Sequence, residues 1–279
     1  MFAESDEKCY VLQMKSQSGL HARDYVTSLA ADGRYMFSSP EAQNALGVSA
    51  EAARAALHRL ARQGLIASPV RGIHVIVPPE YRSLGCLPAE QFIPELMKRL
   101  GAAYYAGLLS AAQFHGAAHH RPQEFQVMVS SARRPIVCGK VRAGFYVRKN
   151  LSVVPTQPFN TPRGTIEVSS PEATAFDLVG YQAQIGGLDQ VATILNDLAE
   201  RLDPAKLAAA AAHAPVPWAQ RLGYLLTKVS AAEKAEGLRR FVAARARRTT
   251  PLLPSVPAES APRDDVWKIA VNADAEAEL

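Results

Sequence analysis

A run of basic side chains poses the first chemical question in this sequence. Arg54, His58, Arg59 and Arg62 recur at helical spacing between Ser49 and Gly64, and Arg71 follows at a Gly-bearing turn. Guanidinium groups on one exposed helix stripe can meet phosphate oxygens, and the small residues before them, Ala50 and Ala52, let a helix approach a groove closely. Glu51 argues the other way, because a carboxylate beside DNA is repelled unless it meets a cytosine amino group. Taken alone, the stretch also reads as a packed structural helix.

A second basic set, Arg133, Arg134, Lys140 and Arg142, continues into Arg148 and Lys149 with no acidic residue among them. Such a surface can lie along phosphates without reading sequence, or can simply be solvated. A third set, Arg239, Arg240, Arg245, Arg247 and Arg248, falls near the end of a helix, where cations are favoured anyway.

Catalytic chemistry finds little support. His115, His119 and His120 have Glu124 as their only close carboxylate, and a metal site needs three or four converging ligands. Nucleophile-elbow, phosphate-loop, zinc-protease and dinucleotide-binding patterns are absent. No catalytic residue, cofactor or metal ligand is expected, and the chain does not read as an enzyme.

The elements that must position the first basic set are strongly signalled. Ser38 or Ser39 can cap a helix that carries Pro40 in its first turn and Glu41 for a capping box. Leu46-Gly47-Val48 supplies a sharp turn, and Ser49 caps the next helix. In that second helix Ala53, Ala56, Leu57, Leu60 and Ala61 face inward, while Glu51, Ala55, His58 and Arg62 face out. Leu65 to Ser68, the turn Pro69 to Gly72 and Ile73 to Val77 read as a hairpin with Arg71 at its tip. With a first helix over His21 to Ala31 and a short strand at Tyr35-Met36-Phe37, the pattern is a winged helix-turn-helix. Ser39 and Ser49, at the two helix starts, complete the candidate DNA-contacting set.

The rest of the chain predicts an α+β domain with a small, mostly antiparallel sheet flanked by helices. Helices are expected over Gln91 to Leu100 and Ala102 to His115. Short strands follow at 125–129, 136–137, 141–147, 151–154 and 165–168, and then Ser169 with Glu172 opens a run of helices. A last strand is expected around Trp267 to Val271 after a Pro-rich stretch. The expected organisation is a tail at 1–18, a winged domain at 19–86 and an α+β domain at 87–279, with the polar run before Pro88 as linker.

Bulk composition fits this. The 279 residues are 48% hydrophobic and 20% charged, and the net charge of +5 suits an anionic partner. Three scattered cysteines fit reduced thiols better than a disulfide frame. No apolar run approaches the ~20 residues that span a bilayer, and the acidic start is unlike a signal peptide. A cytoplasmic protein with no membrane partner is expected.

Several stretches together resemble the AbiEi family of abortive-infection antitoxins. They are Gly72 to Arg82 at the hairpin exit, Tyr104 to Ala112 with His115-Gly116, Ser170 to Leu178, and Arg221 to Leu226. His74 departs from the aromatic residue expected there. The resemblance implies a transcriptional autorepressor of a phage-defence operon, bound to double-stranded operator DNA, typically inverted repeats upstream of its own genes. It also implies a type IV toxin–antitoxin system in which the α+β domain counters a nucleotidyltransferase-like toxin without requiring a stable complex. The alternative is a winged-helix regulator whose second domain senses a small ligand and has no toxin partner.

Overall fold

The computed structural model describes residues 20–117 and 122–277. The expected tail at 1–18, and His119 and His120, lie outside them. The chain divides into two compact units, residues 1–96 with 136–141 and residues 97–135 with 142–279. The division falls inside a helix, where a joint after residue 86 was expected, and the 136–141 excursion into the first unit carries no sequence signal.

In the first unit α1 (Ala22–Ala31) precedes β1 (Met36–Ser38), α2 (Ser39–Leu46), α3 (Ala50–Arg62), β2 (Ile66–Val70) and β3 (Ile73–Ile76). The three strands form one antiparallel sheet in the order β1-β3-β2. Local chemistry explains the boundaries. Ser38, not Ser39, is the N-cap of α2, and its hydroxyl accepts from the Glu41 N–H while the Glu41 carboxylate accepts from the Ser38 N–H, a full capping box. Gly47 ends α2 at φ +63°, a conformation costly for any residue with a Cβ. Ser49 then caps α3 through the Ala52 N–H at 3.2 Å. Tyr25, Val26, Leu29, Phe37, Leu46, Leu57, Leu60, Ile66 and Ile76 make the core of this unit. Ala61, expected inside, is exposed, because the α3 face it shares is open.

The stretch after the hairpin is not a loose linker. Cys86, Leu87 and Ala89 are buried, and Gln91 Nε2 donates to the Tyr81 hydroxyl at 2.8 Å. The helix that follows is α4 (Ala89–Arg99).

The second unit's sheet contains β4 (Tyr104–Ala106), β5 (Phe125–Val129), β7 (Val141–Val147), β8 (Thr156–Thr161) and β9 (Gly164–Ser169), in the order β7-β5-β4-β9-β8. The edge segment β6 (Ile136–Cys138) belongs to the first unit. The sheet is mixed: β4 with β5 and β8 with β9 pair antiparallel, while β4 with β9 and β5 with β7 pair parallel. The long helix expected over Ala102 to His115 is replaced by β4, Gly107 and the short α5 (Leu108–Phe114). Pairing on both sides overrides the Ala-rich local pattern, and Gly107 leaves no room for a Cβ against Met128. Leu151–Val153 is a single 3-10 turn where a strand was expected, and β8 went unforeseen.

Five helices pack into one core: α6 (Pro171–Gly180), α7 (Leu188–Leu198), α8 (Pro204–Ala210), α9 (Val216–Lys228) and α10 (Glu236–Arg245). Ser170, not Ser169, caps α6, and Ser169 is fully buried against Thr174. Short strands β10 (Thr250–Pro251), β11 (Arg263–Asp264) and β12 (Ile269–Ala270) finish the unit. Trp267 lies against Gly223 of α9 so closely that an added Cβ would sit 2.0 Å from its ring. Gly223→Ala is therefore expected to lower stability by roughly 1–3 kcal/mol through overpacking. Chemical denaturation measures this, and an unchanged midpoint would contradict the packing.

Candidate functional site

The first basic set stands on the outer face of α3. Arg54, His58, Arg59 and Arg62 are all exposed, as is Arg71 in the turn between β2 and β3. Among the described residues none of them forms an ion pair. A cleft of about 450 Å³ runs between α3, the start of α2 and the β2–β3 hairpin. Arg54 and His58 line it from one side and Arg71 from the other, and no carboxylate enters its walls. Arg59 and Arg62 stand outside it.

Small residues keep this cleft open. Ala50, Ala53 and Ala61 form its floor with Leu57, and Gly72 adopts φ +79° to turn the hairpin back. The wall is pinned by His74. Its Nε2 lies 2.9 Å from the Ser39 hydroxyl and its Nδ1 lies 2.8 Å from the Ser68 hydroxyl, and its ring stacks on Phe37 at 5.3 Å. The Ser39 hydroxyl thus ties α2 to the hairpin, and the Ser49 hydroxyl caps α3. Burial holds the His74 pKa below its ordinary value, which favours the neutral ring.

The second basic set is spread over several elements. Lys140 is exposed in the first unit's 136–141 segment; Arg133 and Arg134 follow β5, and Arg142 lies on β7. Arg133 is half-buried, with its Nε lacking a hydrogen-bond partner, while Arg134 and Arg142 are exposed.

Arg148 was grouped with this solvated surface and does not belong there. It is 6% exposed, with its Nε 3.4 Å from Oδ1 of a fully buried Asp177. The Tyr105 hydroxyl donates to Asp177 Oδ2 at 2.8 Å, and Arg148 Nη2 donates to the His213 carbonyl at 3.2 Å. The guanidinium lies 4.5 Å over the Trp218 ring, which itself packs on Gly180. This cluster joins the end of β7 to β4, α6 and α9. Burial lifts the Asp177 carboxyl to about 6, against the opposing pull of Arg148 and the Tyr105 hydroxyl. Sequence reasoning missed it, although Asp177 stood as a lone charge among Ala173, Ala175, Phe176, Leu178 and Val179, and a carboxylate in that company needs a buried partner.

Two further buried groups are accounted for. His115 Nε2 meets the Ser169 carbonyl at 2.7 Å, and Glu172 accepts from Ser170 Oγ and the Asp203 N–H. Among the described residues no three His, Cys, Asp or Glu side chains converge as for a metal. No described helix is long and apolar enough to cross a membrane.

Residues 105–228 match the sequence profile of the AbiEi antitoxin C-terminal domain. The chain contains an AbiEi antitoxin domain. The buried cluster is thus an internal feature of the AbiEi domain, with Tyr105, Arg148, Asp177, His213 and Trp218 all inside the matched range. No curated protein matches the sequence significantly. Among solved structures, the RV2827C protein from Mycobacterium tuberculosis has the same fold, with a TM-score of 0.64 and 17% identity over 91% of this chain and 94% of that one. An antigenic nucleotidyltransferase-like protein from Paracoccidioides brasiliensis aligns over 53% of this chain and 91% of that one, at 13% identity. Its TM-score of 0.36 is too low to establish a common fold.

Two outcomes are expected. His74→Ala should speed amide exchange across residues 66–76 and leave α1 protected, because two side-chain hydrogen bonds and a ring stack disappear; unchanged exchange would contradict the pinning role. For Asp177, the folded pKa of about 6 lies above the ordinary 3.8, so the folded state binds more protons between those values. Stability relative to Asp177→Asn should therefore fall as pH rises from about 4 to 6 and stay level above. Urea unfolding of both proteins across that range measures it, and an opposite slope would contradict a burial-dominated carboxyl.

Proposed function

We propose that the first unit is a winged helix-turn-helix that binds operator DNA and represses the chain's own operon, and that the AbiEi domain supplies the antitoxin function. The cleft between α3 and the hairpin, lined by Arg54, His58 and Arg71 without a carboxylate, is the observation that carries this reading. In this reading α3 enters the major groove, with small residues in its first turn allowing close approach. Arg54 and His58 face base edges, Arg59 and Arg62 lie towards phosphates, and Arg71 reaches the backbone from the hairpin tip. Glu51, exposed beside them, suits a cytosine amino group. Ser39 and Ser49 serve by holding the elements.

Arg133, Arg134, Lys140 and Arg142 would add sequence-independent phosphate contacts. The antitoxin role rests on the profile match over residues 105–228. Its opponent, on the family resemblance, is a nucleotidyltransferase-like toxin, and its setting is the cytoplasm.

Arg62→Ala and Arg71→Ala are each expected to weaken duplex binding and to reduce the slope of log affinity against log salt by roughly 0.9 for each phosphate left unneutralised. Gel shifts at several salt concentrations test this, and unchanged affinity and slope in the double variant would overturn the interface. The two roles should also separate. The same double variant, expressed from an independent promoter, should lose repression yet still protect cells from the neighbouring gene's toxin. Loss of protection at equal protein level would mean that antitoxicity is repression and nothing more.

A further inference from the structure

The two described cysteines, 52 positions apart in the sequence, both lie buried in the first unit. Cys86 is fully buried and Cys138 is 5% exposed. Their backbones are pressed together beside the sulfurs. The Lys140 N–H donates to the Leu84 carbonyl at 2.7 Å. A Cβ built on Gly139 would fall 2.2 Å from Leu84 O and 2.9 Å from Gly85 Cα, so only glycine fits that crossing. The Cys86 thiol hydrogen-bonds to Cys138 Sγ, and the Ser68 N–H also points at Cys138 Sγ. Those bonds stabilise a thiolate at Cys138 and lower its pKa, while the Cys86 thiol is pushed up by its bond to Cys138 and by burial. Cys138 lies on an edge strand beside exposed Val137, Gly139 and Lys140, which gives a small oxidant a route in.

We propose that Cys86 and Cys138 form an oxidisable dithiol that hydrogen peroxide closes into an intramolecular disulfide, fastening residues 136–141 to the segment that follows the β2–β3 hairpin. In the first step the Cys138 sulfur donates an electron pair to one peroxide oxygen. The O–O bond breaks, water leaves, and Cys138 becomes a sulfenic acid. Cys86 then loses its proton and attacks that sulfur; the S–S bond forms, the S–O bond breaks and a second water leaves. Two thiols and one peroxide give one disulfide and two waters. A dithiol reductant reverses the closure. In a reducing cytoplasm the pair rests as thiols, and oxidative stress shifts it.

The test uses the full chain with Cys9→Ser, so that only these thiols remain. After peroxide treatment and denaturation, alkylation should find both thiols consumed, and peptide mapping should find Cys86 joined to Cys138 in the monomer. The melting temperature should rise and return to its starting value with dithiothreitol, because the bridge restricts the unfolded chain. In Cys86→Ser, dimedone should capture a sulfenic acid at Cys138; in Cys138→Ser, Cys86 should resist peroxide at least tenfold more. Persistence of both thiols under peroxide that oxidises free cysteine would overturn the proposal. So would disulfides formed only between chains, or overoxidation of Cys138 beside a reduced Cys86. Should either serine variant fail to fold, the mapping in the Cys9→Ser chain decides alone.

Discussion

The AbiEi domain depends on one buried ion pair. Asp177 has no access to solvent and Arg148 almost none, so the two opposite charges face each other away from water. Their separation of 3.4 Å falls short of a well-formed hydrogen bond, and both Arg148 Nε and Asp177 Oδ1 lack any other partner. Such a pair is weak evidence of net stability, since desolvation offsets most of the attraction. Removing either member would leave an uncompensated buried charge, at a cost of roughly 3–5 kcal/mol, so the arrangement of β7 against α6 is sensitive to both residues.

The first unit is held together on a different principle. Its apolar core is small, and the functional geometry is fixed by short-range polar caps at the ends of helices. The capping box at Ser38 and Glu41, the left-handed Gly47 and the Ser49 cap set the angle between α2 and α3. His74 then fixes the hairpin against α2 from the far side of the cleft. No carboxylate lines the cleft itself, so Arg54 and Arg71 meet no competing anion there.

This difference explains what could be read from the sequence. Caps, turns and the α3 stripe act over three or four residues, and Ser49, Gly47, Leu57 and Leu60 were legible for that reason. Three features depended on distant partners. Tyr104 to Ala106 looks helical until β5 and β9 pair on either side of it. Arg148 looks like a surface base until Asp177, 29 positions later, is brought beneath it. Cys86 and Cys138 look unrelated until the 136–141 segment returns to the first unit. Of the candidate interface, the exposure of Arg54, His58, Arg59, Arg62 and Arg71 was legible from helical spacing and the turn, but the contacts of Ser39 and His74 were not. Ser39 reads as a candidate DNA contact, whereas its hydroxyl is engaged by His74, and His74 reads as a departure from family pattern, whereas it is the pin of the hairpin.

The central claim is that α3 and the β2–β3 hairpin together form the DNA-binding face. Amide hydrogen exchange on the full chain, with and without a duplex from upstream of its own operon, tests it most directly. Added protection is expected mainly over residues 50–62 and 66–76, with α6 and α9 of the AbiEi domain unaffected. Protection centred on the AbiEi domain, with α3 and the hairpin unchanged, would contradict it.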